Sequence, residues 1–112
     1  MQQLHNTKAA PLWAFFQNIC AIPHPSKHEQ ALANWIIDWA TKNNIDCQQD
    51  PIGNLILSKP ASIGYENKTP VILQAHLDMV PQKNKQTKHD FLTDPIKTII
   101  DGEWLHADNT TL

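Results

Sequence analysis

The most constraining feature of this sequence is the short run Val71-Ile72-Leu73-Gln74-Ala75, which ends directly before His76. It begins with β-branched residues and is apolar almost throughout, a pattern typical of a central strand that is covered on both faces. A strand of that kind needs other elements packed above and below it. Together with the helices and strands predicted around it, the run indicates a layered α/β domain.

Two helices are predicted ahead of this strand. Pro11 suits the first turn of a helix, because the N–H that proline lacks would be unpaired there. The apolar face of this first helix would consist of Leu12, Phe15, Phe16 and Ile19. In the second, Ser26 followed by Glu29 resembles a capping box, and the helix should run to about Asn43. Its apolar face would consist of Leu32, Trp35, Ile36, Trp39 and Ala40.

Two hairpins are predicted as well. The first joins strands at 45–49 and 55–57 through the turn residues of Asp50-Pro51-Ile52-Gly53-Asn54. The second joins Ile99-Ile100 to Trp104-Leu105 through a turn at Asp101-Gly102.

Composition excludes several classes of protein. The 112 residues fit one small domain, and 41% hydrophobic with 18% charged residues is a globular mixture. Nine lysines, no arginine and a net charge of −2 disfavour a nucleic-acid binder. No apolar stretch approaches the roughly 20 residues that span a membrane, and no secretory leader pattern is present. Two cysteines are too few for a disulfide scaffold, so we expect a reducing cytoplasmic location.

The residues with the clearest chemical potential are His76 and Asp78, directly after the predicted strand. Ligand sites in open α/β sheets collect at the carboxyl ends of strands. One nitrogen of His76 could bind a metal while the Asp78 carboxylate accepts the other N–H, which fixes the tautomer of the ring. The alternative is a hydrogen-bonded histidine at a strand end, with Asp78 capping a turn. His-x-Asp spacing alone does not decide between them.

The other histidines favour structural interpretations. His24 and His28 have helical metal-site spacing, but Pro25 lies between them, so a loop and a first helical turn are expected instead. His5 and His89 have polar neighbours and are assigned to the surface. His106 and Asp108 repeat the His-x-Asp spacing, but they follow an edge hairpin, and we interpret the repeat as a coincidence.

A longer segment gives His76 and Asp78 a context. The run from Pro70 to Lys83 resembles the first metal-site segment of the bacterial aminoacyl-histidine dipeptidases, cytosolic Xaa-His dipeptidases of the dinuclear-zinc aminopeptidase clan. Other segments resemble that family in the same order: Pro11-Leu12-Trp13, Ile22-Pro23-His24-Pro25-Ser26, His28-Glu29, Gly53-Asn54-Leu55, Lys59-Pro60-Ala61, His89-Asp90-Phe91, Asp94-Pro95, Asp101-Gly102-Glu103-Trp104 and Thr110-Thr111-Leu112.

The resemblance implies an incomplete, N-terminal part of a layered zinc-aminopeptidase-like catalytic domain, with two helices followed by a mixed sheet. It implies that His76 is a terminal zinc ligand and that Asp78 is the catalytic-site carboxylate holding the His76 ring. In such enzymes two zinc ions share a bridging water that attacks the peptide bond of an Xaa-His dipeptide such as β-alanyl-histidine. Imidazole and carboxylate ligands also accept Mn or Co. The family further implies a homodimer at full length.

The remaining ligands of the family are not found in residues 1–112. Asp108 is not assigned the bridging role, because it precedes Thr110-Thr111-Leu112 and the family's bridging Asp follows that run. Asn109 stands where the family usually has Gly, and Asn tolerates a left-handed backbone. We therefore expect an N-terminal portion with no complete second domain, inactive alone because most ligands are missing. The alternative is a non-catalytic α/β remnant that binds a partner or self-associates.

Overall fold

The computed structural model describes residues 7–112, which contain two helices and four strands. These are α1 (Ala10–Ala21), α2 (Gln30–Lys42), β1 (Asp46–Gln49), β2 (Leu55–Ser58), β3 (Thr98–Asp101) and β4 (Trp104–Ala107). The chain divides into two compact units. The first unit consists of the residues up to Leu32 together with Asp78–Leu112, and the second consists of Ala33–Leu77. No helix in the described part of the chain is long and apolar enough to cross a membrane.

Both predicted helices are confirmed. Pro11 lies in the first turn of α1, and the chain leaves the helix at Ile22, whose extended backbone suits the residue before Pro23. The buried residue of α1 is Cys20, whereas Leu12 and Phe15 are exposed, so the buried face is narrower than predicted. In α2, Leu32, Ala33 and Ala40 are buried on the predicted side.

The second unit contains the first predicted hairpin, which is confirmed. β1 and β2 pair antiparallel, with Asp46 opposite Ser58 and Gln49 opposite Leu55. Asp50 organises the connecting turn. Its Oδ1 accepts hydrogen bonds from the amides of Ile52 and Asn54 at 3.0 and 2.8 Å, and its Oδ2 accepts one from the Asn54 side chain at 2.7 Å. These donors, the Asn54 side chain first, lower the pKa of Asp50.

The first unit contains the second predicted hairpin and a small apolar core. β3 and β4 pair antiparallel around a two-residue loop in which Gly102 has a φ of +59°, a conformation that favours glycine. The core is formed by Cys20, Met79 and Ile96, and the Ile96 amide donates to the Cys20 carbonyl at 2.8 Å. Phe16, Phe91 and Ala107 pack against this core.

The α/β class is confirmed, but the predicted central strand is not formed. Residues 71–75 lie outside any helix or strand, and Val71, Ile72 and Leu73 are 81%, 92% and 91% exposed. The sheets in residues 7–112 are two separate antiparallel pairs, not one mixed sheet. An apolar run becomes a covered strand only where other strands and layers pair with it, and no strand among the described residues pairs with this one.

Candidate functional site

The best-defined polar contact at the predicted site joins Asp78 to Ser26. Both residues are half-buried in the first unit. The Ser26 hydroxyl donates to Asp78 Oδ2 at 2.5 Å, across 52 positions of sequence. This length is typical of an O–H donor on an ionised carboxylate, which is among the stronger hydrogen bonds in proteins.

Main-chain hydrogen bonds hold the two segments together on either side of this contact. The Met79 amide donates to the His24 carbonyl at 3.0 Å, and the Ser26 amide donates to the Met79 carbonyl at 3.1 Å. Pro25 and Met79 thereby form a parallel bridge. Met79 is 6% exposed, so the residue next to Asp78 is fixed in the core.

His24 supports the same loop and is not placed as a ligand. It is 7% exposed, and its Nδ1 lies 2.5 Å from the Ile22 carbonyl. A carbonyl oxygen only accepts, so Nδ1 carries the proton. His24 lies in a loop, as predicted, whereas His28, predicted in the first helical turn, lies two residues before α2 begins.

The predicted capping box at Ser26 is wrong. Helix α2 begins at Gln30, four residues after Ser26. The intervening residues form a turn in which the His28 amide donates to the Pro25 carbonyl at 2.8 Å and Lys27 has a φ of +74°. Glu29 accepts from the Lys27 amide at 2.6 Å, which is not the reciprocal contact of a capping box. The Ser26 hydroxyl bonds a distant carboxylate, and local sequence spacing does not reveal such a partner.

His76 is exposed and belongs to the second unit, whose last residue is Leu77. An imidazole is a suitable zinc ligand in kind. Among residues 7–112, however, no three His, Cys, Asp or Glu side chains come together as a metal-binding group. A catalytic zinc site takes three protein ligands, so these residues fit part of a site and not a whole one.

An open cleft of about 720 Å³ lies beside Ser26 in the first unit. Its lining includes Ser26, His28, Lys83, His89, Asp90 and Phe91. The Lys83 ammonium donates to the His89 carbonyl at 2.5 Å, which joins two of the lining residues. The residues that line the cleft therefore include a lysine, two histidines and an aspartate besides the serine that contacts Asp78.

The surface assignment of His89 is wrong, whereas that of His5 lies outside the described residues. His89 is half-buried, and its ring meets Phe91 edge-on at 4.5 Å between centroids. Its Nε2 is buried with no hydrogen-bond partner among residues 7–112. The sequence signal for the burial of His89 is Phe91, two residues further on, because an aromatic neighbour favours packing over solvation.

In the second His-x-Asp pair, His106 belongs to β4 and Asp108 follows that strand. His106 is exposed, with its Nδ1 3.0 Å from the Ala107 carbonyl, and the Asp108 amide donates to the Lys97 carbonyl at 2.8 Å. Asn109 has a φ of +58°, a left-handed backbone that asparagine tolerates.

Thr111 is a residue whose role sequence reasoning missed. Its hydroxyl donates to the Val80 carbonyl at 2.6 Å, and its amide donates to the Gln82 carbonyl at 2.8 Å. These bonds join Thr111 to residues 80–82, the segment that follows Met79.

Comparisons with known proteins agree with the resemblance drawn from the sequence. Over all 112 residues the chain is 53% identical to the cytosol non-specific dipeptidase of Escherichia coli (strain K12), and it covers 23% of that protein. The crystal structure of aminoacylhistidine dipeptidase from Vibrio alginolyticus matches 94% of the chain at 57% identity and a TM-score of 0.89, over 21% of that protein. The chain thus spans less than a quarter of either relative. No family model matches it.

Proposed function

We propose that this chain, related over its whole length to the aminoacyl-histidine dipeptidases, is the N-terminal part of the catalytic domain of a dinuclear-zinc dipeptidase. The observation that carries the proposal is the position of Asp78. A carboxylate two residues after a candidate ligand histidine is fixed by a hydroxyl donor and by main-chain bonds on its neighbour.

In this proposal His76 is a terminal metal ligand and Asp78 accepts the N–H of the same ring. That acceptor selects the tautomer in which the other ring nitrogen has a lone pair for the metal, and it raises the basicity of the ligand. The two zinc ions, or Mn or Co in their place, would supply a water of lowered pKa and polarise the scissile carbonyl. The metal-binding residues that complete the set would come from elsewhere in the complete protein.

We further propose that the substrates are small dipeptides and that the protein is cytoplasmic and homodimeric. The two relatives differ in name: one is called aminoacylhistidine dipeptidase and the other non-specific dipeptidase. Xaa-His dipeptides such as β-alanyl-histidine are thus the first substrates to test, and dipeptides without histidine are the natural comparison.

The test is His76→Ala in the complete protein that contains this chain, with His106→Ala as the matched control. Both imidazoles are exposed, but only His76 is assigned to the metal. We expect His76→Ala to lose about half or more of the bound zinc and at least about 100-fold in kcat/KM, since even the partners of ligands are worth 10- to 100-fold. Unchanged zinc content in a folded His76→Ala protein would refute the proposal.

For residues 1–112 alone we propose no dipeptidase activity, because they supply one assigned ligand and the described residues 7–112 form no metal-binding group. The measurement is cleavage of β-alanyl-histidine by the purified 112-residue chain with and without zinc. Zinc-dependent cleavage would contradict this part of the proposal. The exposed Val71-Ile72-Leu73 run favours the second candidate, a self-associating non-catalytic module, which concentration-dependent sedimentation of the same sample would detect.

A further inference from the structure

We propose that Ser26 is a positioning residue for Asp78, and that its hydroxyl sets the carboxylate orientation that the metal ligand needs. This inference rests on the proposed function and deepens it. The resemblance assigns roles to His76 and Asp78 but none to Ser26, whose role rests on the contact in the folded chain.

The two oxygens of a carboxylate can accept hydrogen bonds from different donors. Asp78 Oδ2 accepts from the Ser26 hydroxyl at 2.5 Å. A carboxylate has lone pairs for several donors, so it serves a hydroxyl on one oxygen and an imidazole N–H on the other. A donor fixed on Oδ2 restrains rotation about the bond to the carboxyl group, and therefore determines where Oδ1 points.

The donor itself has little freedom. The Ser26 amide is bonded to the Met79 carbonyl, and the Met79 amide is bonded to the His24 carbonyl. Met79 and His24 are both buried. The backbones that carry the hydroxyl and the carboxylate are thus held in one register, and the side-chain bond adds orientation to segments already in place.

Ser26 does not cap the helix that follows it. Helix α2 begins four residues later, and the nearby Lys27 amide donates to Glu29. Ser26 also lines the open cleft of the first unit, so the residue that contacts Asp78 borders a space that a small ligand could enter. In this position the Ser26 hydroxyl orients Asp78, the carboxylate that holds the metal ligand His76, and does not act on substrate.

The experiment measures zinc affinity in the complete protein by chelator competition. We compare Ser26→Ala and Ser26→Thr, with Ser62→Ala as the matched control because Ser62 is an exposed serine in a loop. We expect Ser26→Ala to weaken zinc binding by about tenfold, the lower end for removing an outer partner of a metal site. Ser26→Thr keeps the hydroxyl and should restore most of the affinity, and Ser62→Ala should not change it.

A double-mutant cycle with Asp78→Ala separates positioning from a general structural role. If Ser26 acts through Asp78, Ser26→Ala should have no further effect on zinc affinity once Asp78 is Ala. Additive losses, or zinc affinity of Ser26→Ala equal to that of the unsubstituted protein, would overturn the inference. If Ser26→Ala does not fold, Ser26→Thr and Ser26→Cys decide: affinity retained by Thr and lost by Cys supports positioning, and any other order overturns it.

The failure of this inference is distinguishable from that of the proposed function. Zinc loss in His76→Ala without any loss in Ser26→Ala would leave the dipeptidase proposal standing and remove Ser26 from it. Unchanged zinc in His76→Ala would remove both.

Discussion

Two apolar segments only a few residues apart have opposite surroundings. Met79 is 6% exposed and packs with Cys20 and Ile96, whereas Ile72 is 92% exposed and lies in no strand. By sequence alone Ile72 is the better candidate for burial, since it lies in the middle of a β-branched apolar run. Hydrophobicity therefore does not explain the difference.

The difference lies in what each segment has to pair with. The backbone at Met79 bonds His24 and Ser26, and the residues after it bond Thr111. Residues 71–75 pair with no strand among residues 7–112. Burial of an apolar residue in a sheet requires backbone partners first, because an unpaired N–H or C=O is costly to remove from water. We therefore predict that residues 71–75 become buried only where a further strand pairs with them.

The largest expected effect is the loss of stability in Met79→Ala, with Ile72→Ala as its comparison. Met79→Ala should destabilise the 112-residue chain by about 2–5 kcal/mol, through lost transfer free energy and the cavity left in the core. Ile72→Ala should change stability by less than about 0.5 kcal/mol, as for an ordinary surface substitution. Urea denaturation followed by circular dichroism measures both, and equal losses would break the comparison.

The same pair in the complete protein sharpens the comparison. If another strand covers residues 71–75 there, Ile72→Ala should now cost about 2–5 kcal/mol, the range for truncating a buried aliphatic side chain to alanine. The amides of Val71, Ile72 and Leu73 should also exchange more slowly in the complete protein than in the short chain. Fast exchange in both would show that the run is not a strand in either.

Acid should weaken each unit through one well-bonded carboxylate. Hydrogen bonds from Asn54, its side chain first, lower the pKa of Asp50, and the Asp90 amide, at 2.8 Å, lowers the pKa of Asp94. Because the folded pKa lies below the ordinary value of about 3.9, the unfolded chain binds more protons in that interval, and stability falls as the pH drops below about 4. Both residues are half-buried, but their hydrogen bonds lie at the exposed surface, so the loss should be smaller than that of Met79→Ala.

The measurement is a series of urea transitions between pH 5 and pH 2.5. Asp50→Asn removes one titrating group and should flatten the pH dependence of stability. Asp101→Asn is the control, because Asp101 is also a hairpin aspartate and is exposed. An equal slope in Asp50→Asn and the unsubstituted chain would show that this turn contributes nothing to acid sensitivity.

The parts of the fold that depend on local sequence could be predicted, and those that depend on distant partners could not. Pro11 and the turn residues Gly53 and Gly102 specify their helix and hairpins within a few positions. The hydroxyl of Ser26 could equally cap a helix or bond a carboxylate, and its partner Asp78 lies 52 positions away. The resemblance supplied His76 and Asp78 as site residues, whereas Ser26 and Thr111 required coordinates.

The smallest expected effect is a difference in reaction rate between the two thiols, one of which lies in each unit. Cys20 is buried against Met79, and burial raises the pKa of its thiol, whereas Cys47 is half-buried in β1. The thiolate is the reactive form, so both access and ionisation slow the reaction of Cys20. We expect iodoacetamide to modify Cys47 at least about tenfold faster, as measured by peptide mass spectrometry over time. Met79→Ala should raise the Cys20 rate towards that of Cys47 by opening the core around it, and Ile72→Ala should not. A Cys20 rate that does not respond to Met79→Ala would mean that this core does not control access to the thiol.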